Sequence, residues 1–165
     1  MRTETIKIFQ YSELSKEAKE KARKWYLDGD NTPFLTENIE ESIKEDLEEK
    51  DIKIIKNFEV HYSLSNSQGD GVMFEGLFLF KGVHFRVKHY GHYYHGNSKT
   101  IESLRDDDKE IPPKLDEEFN NLYVEICKKA EKVGYAEIEY QESEEAIAET
   151  MEANEDDFLE DGTRW

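Results

Sequence analysis

The chain has a single cysteine, three prolines and no apolar stretch long enough to cross a membrane. One thiol, Cys127, excludes an internal disulfide and is typical of a reducing compartment. A transmembrane helix needs about 18 or more consecutive apolar residues. Residues 1–10 also lack the basic segment and apolar run that mark a signal peptide. We therefore expect a cytoplasmic protein that does not enter a membrane.

Basic residues are few relative to acidic ones: 22 Lys and Arg face 39 Asp and Glu, and the formal net charge is −17. Such a charge repels free nucleic acid and anionic membranes, so direct binding to either is not expected. The charge is also uneven along the chain. Residues 137–161 hold twelve carboxylates and no Lys or Arg, whereas residues 81–99 hold four basic residues, four histidines and no acid.

The size and the residue patterns predict one α+β domain. A chain of 165 residues, 12% of them aromatic, can bury a substantial core. We expect a single domain, 1–165, with an acidic helical segment at 137–165. The rest is a small antiparallel sheet of three to four strands with flanking helices, N-terminal strand-helix-helix and C-terminal helices.

Alternation and capping residues place these elements. Residues 5–9 alternate and predict a strand, which we expect to join a meander of residues 58–65, 72–80 and 83–90. Ser15, Thr36 and Ser143 each precede a helical pattern and are expected as N-caps. Residues 115–133 form a clean helical stripe, and residues 135–140 fit either a continued helix or a strand.

Carboxylates on the last helix form the most informative pattern. They step by three and four residues and so share one predicted helical face: Glu142, Glu145, Glu149, Glu152 and Asp156. Ile147, Met151 and Phe158 fall on the opposite face. The row spans about 21 Å at ~1.5 Å per residue, and its charges lie nearly as close as the phosphates of one DNA strand. A solvated helix face is the alternative interpretation. A second acidic row, on the second predicted helix, is a reserve surface: Glu41, Glu45 and Glu48.

The basic, histidine-rich segment suggests a different kind of site. Five outward residues of the third meander strand and its extension are suited to a phosphate or a nucleotide: His84, Arg86, Lys88, Tyr90 and His92. Glu59 and Glu75 on neighbouring strands can instead pair with Arg86 and Lys88. Three histidines at steps of three, His89, His92 and His95, alternate faces on a strand, and no Cys pair supports zinc, so a metal is not expected.

Other motifs have structural interpretations, and no catalytic residue or cofactor is expected. The segment SQGDG, residues 67–71, lacks the Lys of a phosphate loop and predicts a hairpin turn, in which Gln68 and Asp70 can still contact a partner. Cys127 borders an apolar stripe and is interpreted as a core thiol, and residues 106–108 as a surface run of Asp. Nothing marks a nucleophile with its base, an orienting carboxylate and an oxyanion hole.

Three segments, taken in order, resemble a widespread family of small bacteriophage and prophage proteins: YSELSKEAKEKA at residues 11–22, YSLSNSQGDGV at residues 62–72, and SEEAI at residues 143–147. The resemblance covers most of the chain. It implies a phage accessory protein acting in the bacterial cytoplasm. Small acidic phage proteins of this sort are often anti-defence factors, and some resemble anti-CRISPR proteins that block a nuclease complex, with a type II effector as one candidate target. The resemblance carries over no catalytic residues.

The leading hypothesis is therefore an anti-CRISPR-type protein that binds a host protein with a basic nucleic-acid-binding surface and blocks that surface with carboxylates. A variant of this hypothesis is an antitoxin-like acidic inhibitor. A second hypothesis is a binding module for a nucleotide signalling molecule. A metal-dependent enzyme that uses the histidines is the third.

Overall fold

A computed structural model of the chain describes residues 1–29, 32, 34–91, 98–105 and 110–165. Its elements are, in order: β1 (Phe9–Gln10), a 3₁₀ turn (Tyr11–Glu13), α1 (Lys16–Leu27), α2 (Leu35–Glu49), β2 (Lys53–Ser63), β3 (Gly71–Phe80), β4 (Val83–His89), β5 (Lys99–Leu104), α3 (Pro113–Gln141), α4 (Glu144–Ala153) and β6 (Asp157–Phe158). They form two compact units. Unit 1 is Met1–Pro33 with Glu137–Trp165, and unit 2 is Phe34–Ala136.

Unit 1 joins the two ends of the chain. Strands β1 and β6 pair antiparallel, with Phe9 opposite Phe158. The side chain of Ser15 accepts a hydrogen bond from the Ala18 N–H at 3.2 Å and starts α1, as predicted. One cluster of buried side chains holds this unit together: Tyr11, Leu14, Ala18, Ala22, Tyr26, Ile147, Met151 and Phe158.

The turn after β6 requires a glycine. Gly162 has a φ of +87°, and a Cβ at this position would overlap the carbonyl oxygen of Ala18. Lys21 reinforces the same contact, because its ammonium group binds Asp161 Oδ2 and Thr163 Oγ1, each at 2.8 Å. The C-terminal turn is thus held against α1.

Unit 2 contains a four-stranded antiparallel meander in the order β2-β3-β4-β5. Phe74 and Phe78 on β3 and Phe85 on β4 are fully buried. The ring of Phe85 stacks on Phe119 of α3 with centroids 4.1 Å apart. The predicted apolar stripe of α2 is also buried: Leu35, Ile39, Ile43 and Leu47.

A tyrosine of α3 completes the backbone hydrogen bonding of β3. The Tyr123 hydroxyl donates to the carbonyl of Phe74 at 2.7 Å and accepts from the N–H of Phe74 at 3.0 Å. The β3–β4 pairing extends only as far as Gly76 opposite Val87. Tyr123 thus occupies the place that a further β4 residue would take.

The α+β fold, with an antiparallel sheet and four helices in the described residues, confirms the predicted class. The fourth strand was wrongly predicted: β5 fills that place, and the N-terminal strand, reduced to Phe9–Gln10, pairs with β6 instead. Thr36 does not cap α2 but lies inside it, where its hydroxyl bonds Tyr62 at 2.6 Å. Residues 135–140 are helical, since α3 runs through them.

Within the described residues, no helix is both long enough and apolar enough to span a bilayer. The division into two compact units does not test whether the chain is a single domain, so this stays a prediction.

Candidate acidic interaction surface

Helix α4 presents four carboxylates to solvent, three of them on the predicted acidic face. Its start is set by Ser143, whose Oγ accepts from the Ala146 N–H at 3.2 Å, as predicted. Ala146, Ile147 and Met151 are buried on one face. The exposed face carries three glutamates at steps of four and three: Glu145, Glu149 and Glu152. Because the apolar stripe is anchored in the core of unit 1, these carboxylates are directed outward.

The prediction that five carboxylates share one helical face is wrong at both ends. Glu142 lies in the turn between α3 and α4, although it is exposed. Asp156 lies beyond the end of α4, where its side chain is only 10% exposed and pairs with Arg164 at 2.8 Å. The helical segment also ends early, because β6 and a turn follow. The helical row therefore contains three residues and spans roughly 10 Å, with Glu142 adjacent to it.

No cation of the described residues pairs with these four glutamates. Within the described part of the chain, none of the carboxylates of Glu142, Glu145, Glu149 and Glu152 takes part in an ion pair or a hydrogen bond. Arg23 approaches Glu142 but donates to its backbone carbonyl, at 3.0 Å. The surface formed by these four side chains is called the α4 acidic surface below.

One side of the first turn of α4 is electrically mixed. Glu144 lines a depression of about 390 Å³ together with Tyr11 and three cations of α1, Lys16, Lys19 and Arg23. The pKa of the Tyr11 hydroxyl is raised by burial and, to a smaller extent, by Glu144. Glu144 therefore faces positive charge, which distinguishes it from the α4 acidic surface.

The reserve surface on α2 is exposed but partly neutralised. Glu41, Glu45 and Glu48 all face solvent. Asp46 beside them is buried, and Lys129 of α3 binds its carboxylate at 2.6 Å. The pKa of Lys129 is raised, mainly by the hydrogen bond and charge of Asp46 and further by Glu49 and Glu45. Lys129 thus offsets part of the negative field of α2.

The basic face of the sheet is more balanced than its sequence indicates. Arg86 pairs with Glu102, its register partner on β5, at 3.3 Å, instead of with Glu59 or Glu75, which the sequence offered as alternative partners. Arg86 and Lys88 are exposed and, with Lys56 and Glu75, line a shallow depression of about 190 Å³.

The other members of that predicted site divide into two groups. Tyr90 is 55% exposed, and His84 is partly buried on β4. His92 of this site lies outside the described residues, as do His95 of the histidine set and the Asp run at residues 106–108.

The turn between β2 and β3 is organised by Asp70, as the turn prediction for residues 67–71 leads one to expect. Its carboxylate accepts from the Tyr135 hydroxyl, from the backbone N–H groups of Ser65 and Ser67 at 2.6 and 3.1 Å, and from the Ser63, Ser65 and Ser67 hydroxyls. These donors, Tyr135 first, hold the pKa of Asp70 well below its usual range. Both carboxylate oxygens are therefore engaged within the protein.

Cys127 has the properties of a core thiol. It is buried, and burial raises its pKa to about 12, so the nucleophilic thiolate does not form near neutral pH. This confirms the interpretation made from the apolar stripe.

A cluster that sequence reasoning missed lies on β2 and β3. One donor atom from each of Glu59, His61 and Glu75 lies within 4.8 Å of the others. Strand alternation puts Glu59 and His61 on one face, but only the register of β2 against β3 brings in Glu75.

No family model, curated protein or solved structure matches the chain.

Proposed function

We propose that this protein is a non-catalytic phage anti-defence factor of anti-CRISPR type. In this proposal it binds a host nuclease complex stoichiometrically, and the α4 acidic surface blocks the basic surface on which that complex holds nucleic acid. The proposal is supported chiefly by the exposure of Glu142, Glu145, Glu149 and Glu152, which have no ion-pair partner in the described residues.

The physical basis is electrostatic complementarity. A basic nucleic-acid groove keeps a counterion atmosphere that a rigid row of carboxylates can displace. The row is rigid because Ile147 and Met151 anchor α4 in a packed core. The net charge of −17 additionally steers encounter with a cationic partner. Asp156 contributes little, since Arg164 neutralises it.

Affinity capture from host lysate, at low and at high salt, tests this proposal. The test variant carries Glu145→Gln, Glu149→Gln and Glu152→Gln. The matched control carries Glu41→Gln, Glu45→Gln and Glu48→Gln, which removes the same charge from exposed positions of α2. We expect wild type and the α2 control to capture a nuclease or nucleic-acid-binding protein in low salt only, and the α4 variant to lose it.

Equal capture by the α4 variant, with its fold intact by circular dichroism, would remove the α4 acidic surface from the proposal. Equal loss in both variants would show that net charge alone matters. A toxin as the captured partner would assign the same surface to an antitoxin-like inhibitor.

The second candidate function, nucleotide binding, is supported by the depression on the sheet. Three cations, Lys56, Arg86 and Lys88, line it beside the carboxylate of Glu75, and charged donors of this kind form strong hydrogen bonds to phosphate. Calorimetry with a panel of nucleotides tests this function. Saturable binding that Arg86→Gln abolishes would favour it, and the absence of heat with every nucleotide would exclude it for that panel.

A further inference from the structure

Two carboxylates face each other across strands β2 and β3. Glu59 is the register partner of Glu75 in the antiparallel ladder. Carboxylates at directly opposite positions of a sheet repel each other. Among the described residues, no Lys or Arg nitrogen lies within 4.0 Å of either one. The pair therefore has no direct ion pair with Lys or Arg in the described part of the chain, although Lys56, Arg86 and Lys88 line the depression beside Glu75.

Among the described residues, the imidazole of His61 approaches both carboxylates. His61 Nε2 lies 3.9 Å from Glu59 Oε1 and 3.8 Å from Glu75 Oε1. Metal–ligand bonds of about 2.0–2.2 Å in a tetrahedral zinc site separate the ligand atoms by roughly 3.3–3.5 Å. The two His61 separations exceed this spacing by about half an ångström, and the two carboxylate oxygens lie within 4.8 Å of each other. Glu59 can close that gap by a side-chain rotation, because its side chain is 67% exposed.

The other two donors are held in place by β4. The backbone N–H of His89 donates to Glu75 Oε1 at 2.9 Å, so this carboxylate has a fixed orientation. The ring of His89 also stacks on the ring of His61, with centroids 6.0 Å apart and planes inclined by 26°. Such outer contacts orient the ligands in metal sites and tune their affinity. His61 and Glu75 are partly buried, which reduces competition from water.

We propose that Glu59, His61 and Glu75 bind one divalent first-row transition ion of the zinc class, with water in the open coordination position. Imidazole together with carboxylate favours such an ion over Mg²⁺ or Ca²⁺, which prefer oxygen ligands throughout. The ion would neutralise the facing carboxylates and join β2 to β3. The site lies in unit 2, whereas the α4 acidic surface belongs to unit 1. It is also distinct from the sequence-predicted histidine set, His89, His92 and His95, of which the structure describes only His89.

Titration of the full-length, tag-free protein with zinc chloride tests this site by calorimetry, and cobalt chloride provides a visible absorption band that reports nitrogen and oxygen ligation. The variants are His61→Gln and Glu75→Gln. The matched control is His84→Gln, a second partly buried histidine of the same sheet that is not part of the cluster.

We expect wild type and His84→Gln to bind one zinc ion per chain. His61→Gln and Glu75→Gln should weaken that binding by about tenfold or more, while circular dichroism confirms their fold. The proposal is overturned if wild type shows no saturable zinc binding, or if His61→Gln binds as tightly as wild type. Equal weakening in His84→Gln would also overturn it, because the ion would then lie elsewhere.

Discussion

Removing one hydroxyl from the core of unit 2 should destabilise the protein far more than its size suggests. Tyr123 is 1% exposed, and its hydroxyl satisfies both backbone groups of Phe74. Tyr123→Phe keeps the ring, which lies 4.3 Å from the ring of Phe74 between centroids. It removes the hydroxyl that bonds one buried N–H and one buried carbonyl. Leaving each such group without this bond costs about 1–3 kcal/mol, so the loss should be at least ~2 kcal/mol.

Urea denaturation followed by circular dichroism measures this loss, with Tyr140→Phe as the control. Tyr140 is 50% exposed, so its hydroxyl can exchange protein contacts for water, and we expect a change within about 0.5 kcal/mol. For a chain of this size, ~2 kcal/mol also lowers the melting temperature by about 4–8 °C. A Tyr123→Phe variant as stable as the control would refute the assignment of Tyr123 as a substitute strand partner.

Two further predictions concern the turns. Gly82→Ala adds a Cβ in open space at a positive φ and should lower the free energy of unfolding by about 1–2 kcal/mol. Gly162→Ala should lower it more, because the carbonyl of Ala18 blocks its Cβ. Thermal denaturation compares the two variants, and equal destabilisation would contradict the close approach of Gly162 to Ala18. Since the pKa of Asp70 is lowered, its ionised form stabilises the fold above pH of about 4 and this stabilisation is lost as pH falls below that value. Asp70→Asn should therefore show a smaller decrease in urea midpoint between pH 7 and pH 3 than wild type, and an unchanged decrease would contradict the role of Asp70.

The elements with strong periodicity were predictable from the sequence. Ser15 and Ser143 cap helices as expected, because each offers a hydroxyl just before an apolar stripe that the core can bury. Strands β3 and β4 were located by alternation and by the Lys81–Gly82 turn, where both residues adopt positive φ. These signals are local, so no tertiary information was needed to read them.

The errors arise where partners distant in sequence decide the outcome. β5 has weak alternation and owes its place to pairing with β4. Residues 5–8 alternate well but pair with no strand of the described residues. The five-carboxylate row assumed a helix that continues to Asp156, but the chain turns after Ala153 to form β6 against β1. The Glu59–His61–Glu75 cluster depends on cross-strand register, which composition and spacing do not specify.

In the proposed function, the exposed glutamates of α4 compete with nucleic acid for a basic surface on a host protein. Displacement of a fluorescent nucleic acid from the captured partner, by the wild-type chain and by the variant with Glu145→Gln, Glu149→Gln and Glu152→Gln, measures this competition. We expect wild type to displace the nucleic acid at stoichiometric concentration and the variant to need about tenfold more, or to fail. Binding of wild type without displacement, or equal displacement by the folded variant, would contradict it.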